Sequence, residues 1–162
     1  MKKLFMFFTV LGILLWGCGT DHGGSPESDL SGMYISAFEK LIQQDSGLNH
    51  PMNFISFDFT ELELSRAEKE RIMEYFETRY EVEMMEKNLE QLRDEGYFDE
   101  EKMMLEEGFL LSIKKVEKLS EDHYKIEGEK YRSGLGAIGL AIEVQKKNDS
   151  WEVSETTILW IS

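Results

Sequence analysis

The sequence predicts an α+β domain in which N-terminal helices pack on one face of a C-terminal antiparallel sheet of about four strands. Three observations carry this. Apolar residues recur at helical spacing in the first half of the domain, alternate with polar residues over the last third, and the alternating runs are joined by short turns. Helices and strands are segregated along the chain, which favours α+β over a parallel α/β sheet.

The elements follow in order. Leu30, Met33, Tyr34, Ala37, Phe38, Leu41 and Ile42 fall at i, i+3, i+4 and i+7, so an amphipathic helix is expected over about 29–44. Asp45-Ser46-Gly47 ends it. In NFISFDFT, residues 53–60, Ile55, Phe57 and Phe59 alternate as in a half-buried strand. Ser65 and Glu68 have capping-box spacing and open a second helix over about 65–79, with Ile72, Phe76 and Tyr80 on one face. A short strand is expected at 81–85, then a short helix holding Leu89 and Leu92 that ends at Gly96. Beyond Phe109, four runs alternate: Phe109–Ile113, Tyr124–Ile126, Ile138–Val144 and Trp151–Ile161. Turn residues at 120–122, 133–134 and 148–150 separate them, so a meander over about 109–161 is expected. This element order has a likeness to cystatin-like and NTF2-like folds, in which a long helix crosses a curved antiparallel sheet.

The first residues carry a different signal. Lys2 and Lys3 precede Leu4–Trp16, an uncharged apolar stretch. As a helix it is about 20 Å long against the roughly 30 Å of a bilayer core, which suits a secretion signal better than a span. Leu15-Trp16-Gly17-Cys18 follows. This segment resembles the lipobox of bacterial lipoproteins, with Trp16 departing from the usual small residue. The resemblance implies cleavage between Gly17 and Cys18 and a diacylglycerol, with its two acyl chains, on the Cys18 sulfur. It divides the chain into a signal peptide at 1–17, a lipidated cysteine and tether at 18–28, and one α+β domain at 29–162. It implies a membrane-anchored location facing outside the cytoplasm. Residues 19–28, GTDHGGSPES, suit a flexible tether with a reach of roughly 18 Å.

Composition narrows the function classes. The 162 residues carry 18 Lys+Arg and 32 Asp+Glu, a formal charge of −14. Cleavage removes two lysines and no acid, taking the charge to −16. Such a domain does not favour nucleic acid or a flat contact with anionic lipid. A lone cysteine excludes a disulfide framework and a Cys₄ or Cys₂His₂ zinc site. His22, His50 and His123 are not at metal-ligand spacing, so no metal site is expected. The acid-rich stretch 94–107 does not fit a calcium-binding loop.

Gly134, Gly136 and Gly139 spell GxGxxG. The segment after them alternates as a strand, where a dinucleotide fold needs a helix. A glycine turn between strands, with a bulge or close packing at Gly139, is one reading. The other is close approach of a ligand to the backbone, and it makes Arg132, Ser133, Gly134 and Gly136 candidate contacts. The alternative for Arg132 is a surface or rim ion pair. The paired methionines 84–85 and 103–104 suit either an adaptable groove or core filling.

Tyr131–Gly139 and Thr157–Ser162 give the domain a resemblance to small soluble domains of uncharacterised Gram-positive lipoproteins. That resemblance carries no catalytic residue. The reading is a non-catalytic, anchored module without a cofactor that binds a protein or small-molecule partner. The alternative is a hydrolase-like envelope enzyme with a pocket between helix and sheet. A deep pocket with paired acids distinguishes the enzyme; a filled core with an apolar surface patch distinguishes the module.

Overall fold

The computed structural model describes residues 30–162. The lipobox, the tether and His22 lie outside the described residues.

The first helix, α1, spans Ser31–Gln43 and buries Met33, Tyr34, Ala37, Phe38, Leu41 and Ile42, the stripe its spacing predicts. A 3₁₀ turn at Ser46–Asn49 follows. Strand β1 is Phe54–Asp58. The next helix, α2, spans Arg66–Tyr80 and opens on a capping box formed by Ser65 and Glu68. It buries Ile72 and Phe76. Then come β2 (Glu83–Glu86), the short helix α3 (Leu89–Asp94), and two strands of two residues each, β3 (Phe98–Asp99) and β4 (Met104–Leu105). Four long strands close the described chain: β5 (Gly108–Ser120), β6 (His123–Ser133), β7 (Gly136–Lys147) and β8 (Ser150–Ile161).

These last four strands pair consecutively and antiparallel, but they are only half of the sheet. The sheet is eight-stranded and mixed, in the order β2-β1-β5-β6-β4-β3, with β7 beside β6 and β8 beside β7. The fold expected from the sequence, helices over one face of a four-stranded antiparallel sheet, is therefore wrong. The likeness to cystatin-like and NTF2-like folds goes with it. Strand β1 lies parallel to both β2 and β5. The crossovers that parallel pairing demands are α2 on one side and the long excursion through β4 on the other. A strand flanked on both sides and covered on both faces is buried throughout. Phe54, Ile55, Ser56 and Phe57 are all buried.

The helices are also not confined to one face. α1 and α2 cover the face carrying Ile55, Phe57, Phe109, Leu111, Ile126, Leu140 and Ile142. On the opposite face a second core holds Phe54, Met85, Leu92, Phe98, Leu105 and Leu110. Residues 89–105 supply Leu92, Phe98 and Leu105, so they act as a cover for the back of β1 and β5. The methionine pair 84–85 splits between the two cores.

Phe38 centres the larger core. Its ring meets Phe57 at 5.1 Å, Phe59 at 6.1 Å and Phe76 at 6.4 Å, all edge-on. Edge-to-face contact sets a positive ring edge against a negative ring face, a gain beyond the area buried. One ring thereby joins α1, β1 and α2.

Candidate functional site

On β6, Tyr124, Ile126, Gly128, Lys130 and Arg132 alternate inward, toward α1. The last two are cations. Among the described residues Lys130 and Arg132 are the buried charged side chains, at 0% and 6% exposure. The Lys130 ammonium donates to the carbonyls of Ile42 at 3.2 Å, Asp45 at 2.8 Å and Gln44, and to the Asn49 side-chain oxygen at 2.9 Å. The end of an α-helix leaves carbonyls without intrahelical donors and with a partial negative charge. Lys130 therefore caps α1 from across the fold. It also lies 5.9 Å from the Phe109 ring centroid. Burial pushes its pKa down to about 8, against a smaller opposing pull from the Asp45 carboxylate.

Arg132 does the same for the next stretch of chain. Its Nη1 donates to Leu48 O at 3.2 Å and Pro51 O at 2.9 Å, and its Nη2 to Glu106 O at 2.5 Å. Burial lowers its pKa. The guanidinium is neither a surface ion pair nor an open receptor for an anion; its donors hold loop 48–51 to residue 106. The β6–β7 turn does bring Arg132, Ser133, Gly134 and Gly136 together. Gly136 lies against Leu48, whose Cδ2 is 3.1 Å from where a Cβ would sit. Leu135, at the tip, is 92% exposed. The expected ligand contacts thus form a closed joint on the α1 side and a bare apolar tip outside. Lys130 was not among the candidates. Its signal was present, because the inward phase of Tyr124 and Ile126 carries on to residue 130.

Of several clefts elsewhere, two stand out. One, of about 310 Å³, sits at the carboxyl end of β1 and is lined by Asp58, Thr60, Lys69, Glu86, Lys87 and Asn88, among others. Lys69 pairs with Glu86 at 2.6 Å, Lys87 pairs with Glu95, and Asp58 accepts the Thr60 N–H at 3.0 Å. Asn88 caps α3. Within the cleft Lys69 and Glu86 are paired with each other, Lys87 is paired with Glu95 beyond its lining, and Asp58 is held by a backbone N–H. The other, a shallow groove between α1 and α2, is lined by Ile35, Tyr75 and Thr78 with Arg71, Glu74 and Arg79. Among the described residues no three His, Cys, Asp or Glu side chains converge as metal ligands. His123 instead sits 3.0 Å from Glu143 on the outer face of β6 and β7.

The most distinctive surface is on β8. Ile158, Leu159, Trp160 and Ile161 are 40–63% exposed in one unbroken run. Among the described residues β8 pairs with β7 alone, so its other edge is bare. The register slips by one residue between the Leu140–Ile158 and Gly139–Trp160 pairs, a bulge that leaves Leu159 as the extra residue. The Trp160 ring lies across Gly139. A Cβ there would stand 2.3 Å from Trp160 Nε1 and 2.4 Å from Cε2. The close packing expected at Gly139 is thus present, and its partner is an indole.

A prediction follows from this contact. Gly139→Ala lifts the indole off the sheet into water. Because the colliding atoms belong to a partly exposed side chain that can swing away, the stability cost is small, below about 1 kcal/mol against the 1–3 of a rigid overpacked site. With Trp16 and Trp151 replaced by Phe, Trp160 emission shifts to the red in the alanine variant. An unchanged spectrum refutes the seat.

Comparison with protein-family models, curated proteins and solved structures returns no match.

Proposed function

We propose that this chain is a lipid-anchored extracytoplasmic module that binds a partner through the free edge of β8. The observation that carries the reading is the run Ile158–Ile161: four exposed large apolar residues on a strand with one edge unpaired among the described residues. An exposed edge presents a row of N–H and C=O groups ready to pair with another strand. Apolar side chains beside it add the hydrophobic gain that main-chain pairing lacks. The larger core is filled by interlocking aromatic rings, and in the cleft at β1 Lys69 is paired with Glu86 and Lys87 with Glu95, which supports the module over the enzyme.

The anchor rests on Leu15-Trp16-Gly17-Cys18 and the tether after it. Two acyl chains hold stably where one is marginal. Among the described residues no helix is long and apolar enough to cross a membrane. Cells grown with labelled palmitate test the anchor: the parent chain takes up label and sediments with membranes, and Cys18→Ala loses both properties. Label retained by the alanine variant defeats the reading.

A further inference from the structure

We propose that the partner at this edge is a second copy of the chain, joined antiparallel through Ile158–Ile161 about a two-fold axis between Leu159 and Trp160. This rests on the reading of β8 as the contact surface. Natural edges are blocked by Lys, Pro, bulges or a covering element. β8 has two bulges but neither Lys nor Pro, and its two charges, Glu152 and Glu155, both precede the apolar run.

The run is self-complementary. Ile158 pairs with Leu140 and Ile161 with Ile138, two residues of the α1-side core, so both point to the helix face. Trp160 points to the other face, over Gly139. Residues directly opposite in an antiparallel pair share a face. An axis between Leu159 and Trp160 therefore sets Ile158 of each copy against Ile161 of the other on the helix face. It sets Leu159 against Trp160 beside the bulge. Residues 156–162 carry no charged side chain, so no acidic side chain opposes another, and Glu152 and Glu155 stay outside the facing run. This matters in a chain of formal charge −14. With the seam neutral, the remaining repulsion acts at distances that salt screens beyond about 8 Å. A closed, isologous pair results, not a fibre, because each copy spends its only β8 edge on the other.

The geometry agrees with the anchor. The axis stands perpendicular to the joined sheet, so α1 of both copies, with Leu30 ahead of it, lies on one side. A seam of four or five residues falls short of the roughly 800 Å² per partner of a standard interface. Pairing is therefore weak in dilute solution and gains from confinement on a membrane, as tethering raises effective concentration.

Photo-crosslinking of the full chain in living cells tests this. A benzoylphenylalanine replacing Ile161 is expected to give an adduct with the mass of two chains. The same probe replacing Leu119, exposed on β5, is expected to give none. Adding Leu159→Lys to the Ile161 probe is expected to cut the adduct at least tenfold, with limited proteolysis and palmitate uptake unchanged. A two-chain adduct that survives Leu159→Lys, or that forms equally at Leu119, overturns the pairing. An adduct of any other mass overturns the second-copy assignment and leaves the edge as a contact surface. No adduct at all overturns both.

Discussion

Lys130→Met is expected to cost about 3 kcal/mol of folding stability. The substitution keeps most of the buried stem and removes only the donors. The Gln44 carbonyl and the Asn49 side-chain oxygen then lose their donor, while Ile42 O keeps the Asn49 side-chain N–H and Asp45 O keeps the Leu48 N–H. An unsatisfied buried acceptor costs about 1–3 kcal/mol, and those at the margin of the site regain part of this from water. Urea unfolding followed by tryptophan emission measures it. A loss below 1 kcal/mol would mean that water caps the helix as well as the ammonium does.

The same lysine gives stability a defined pH dependence. Its pKa is about 8 when folded and 10.5 in the free side chain. Below pH 8 both states hold the proton, and this group adds no slope. Between about 8 and 10.5 the folded state releases a proton that the unfolded chain keeps, so stability rises with pH across that window. Lys130→Met lacks this component. The two effects are compatible. Burial disfavours the charge on the lysine, yet the Gln44 carbonyl and the Asn49 side-chain oxygen take their hydrogen bonds from it.

Phe38→Ala is expected to cost about 3–5 kcal/mol, the range for removing a buried aromatic ring. Phe38 is fully buried and meets three other rings from two neighbouring elements, β1 and α2, and the loop after β1. Those rings are fixed on a strand and a helix and cannot collapse into the space. Chemical denaturation gives the number. A cost near 1 kcal/mol would show that α1 can settle onto the sheet without its central ring.

Much of the local structure is legible in the residues. α1 buries a stripe of six apolar positions, and hydrophobic spacing alone marks it. Ser65 and Glu68 mark the start of α2 because a capping box is a local hydrogen-bond arrangement. The strands from 108 to 161 show themselves by alternation, since each pairs with its sequence neighbour through a short turn. Parallel pairing leaves no such mark. Phe54–Asp58 reads as one strand, but nothing near it in sequence names β2 and β5 as its neighbours. Phe109-Leu110-Leu111 held a clue, because an unbroken apolar run indicates burial on two faces, and that requires cover on the back of the sheet.

Arg132 shows the limit for the candidate site. Its place beside a glycine turn suggested a ligand contact or a surface or rim ion pair. The three carbonyls it holds come from residues 48, 51 and 106, distant in sequence and brought together only by the fold. The bare edge was equally hidden, because the apolar run Ile158–Ile161 reads the same whether its strand is central or last.

By itself the sequence determined the helices, the long strands and the acidic charge, for these depend on period, local hydrogen bonding and composition. Tertiary structure alone decided the parallel centre of the sheet, the second core behind it, the burial of Lys130 and Arg132, and the exposure of β8. The physical reason is common to all four. Each depends on which distant backbone groups and apolar surfaces meet, and no local pattern encodes a neighbour tens of residues away.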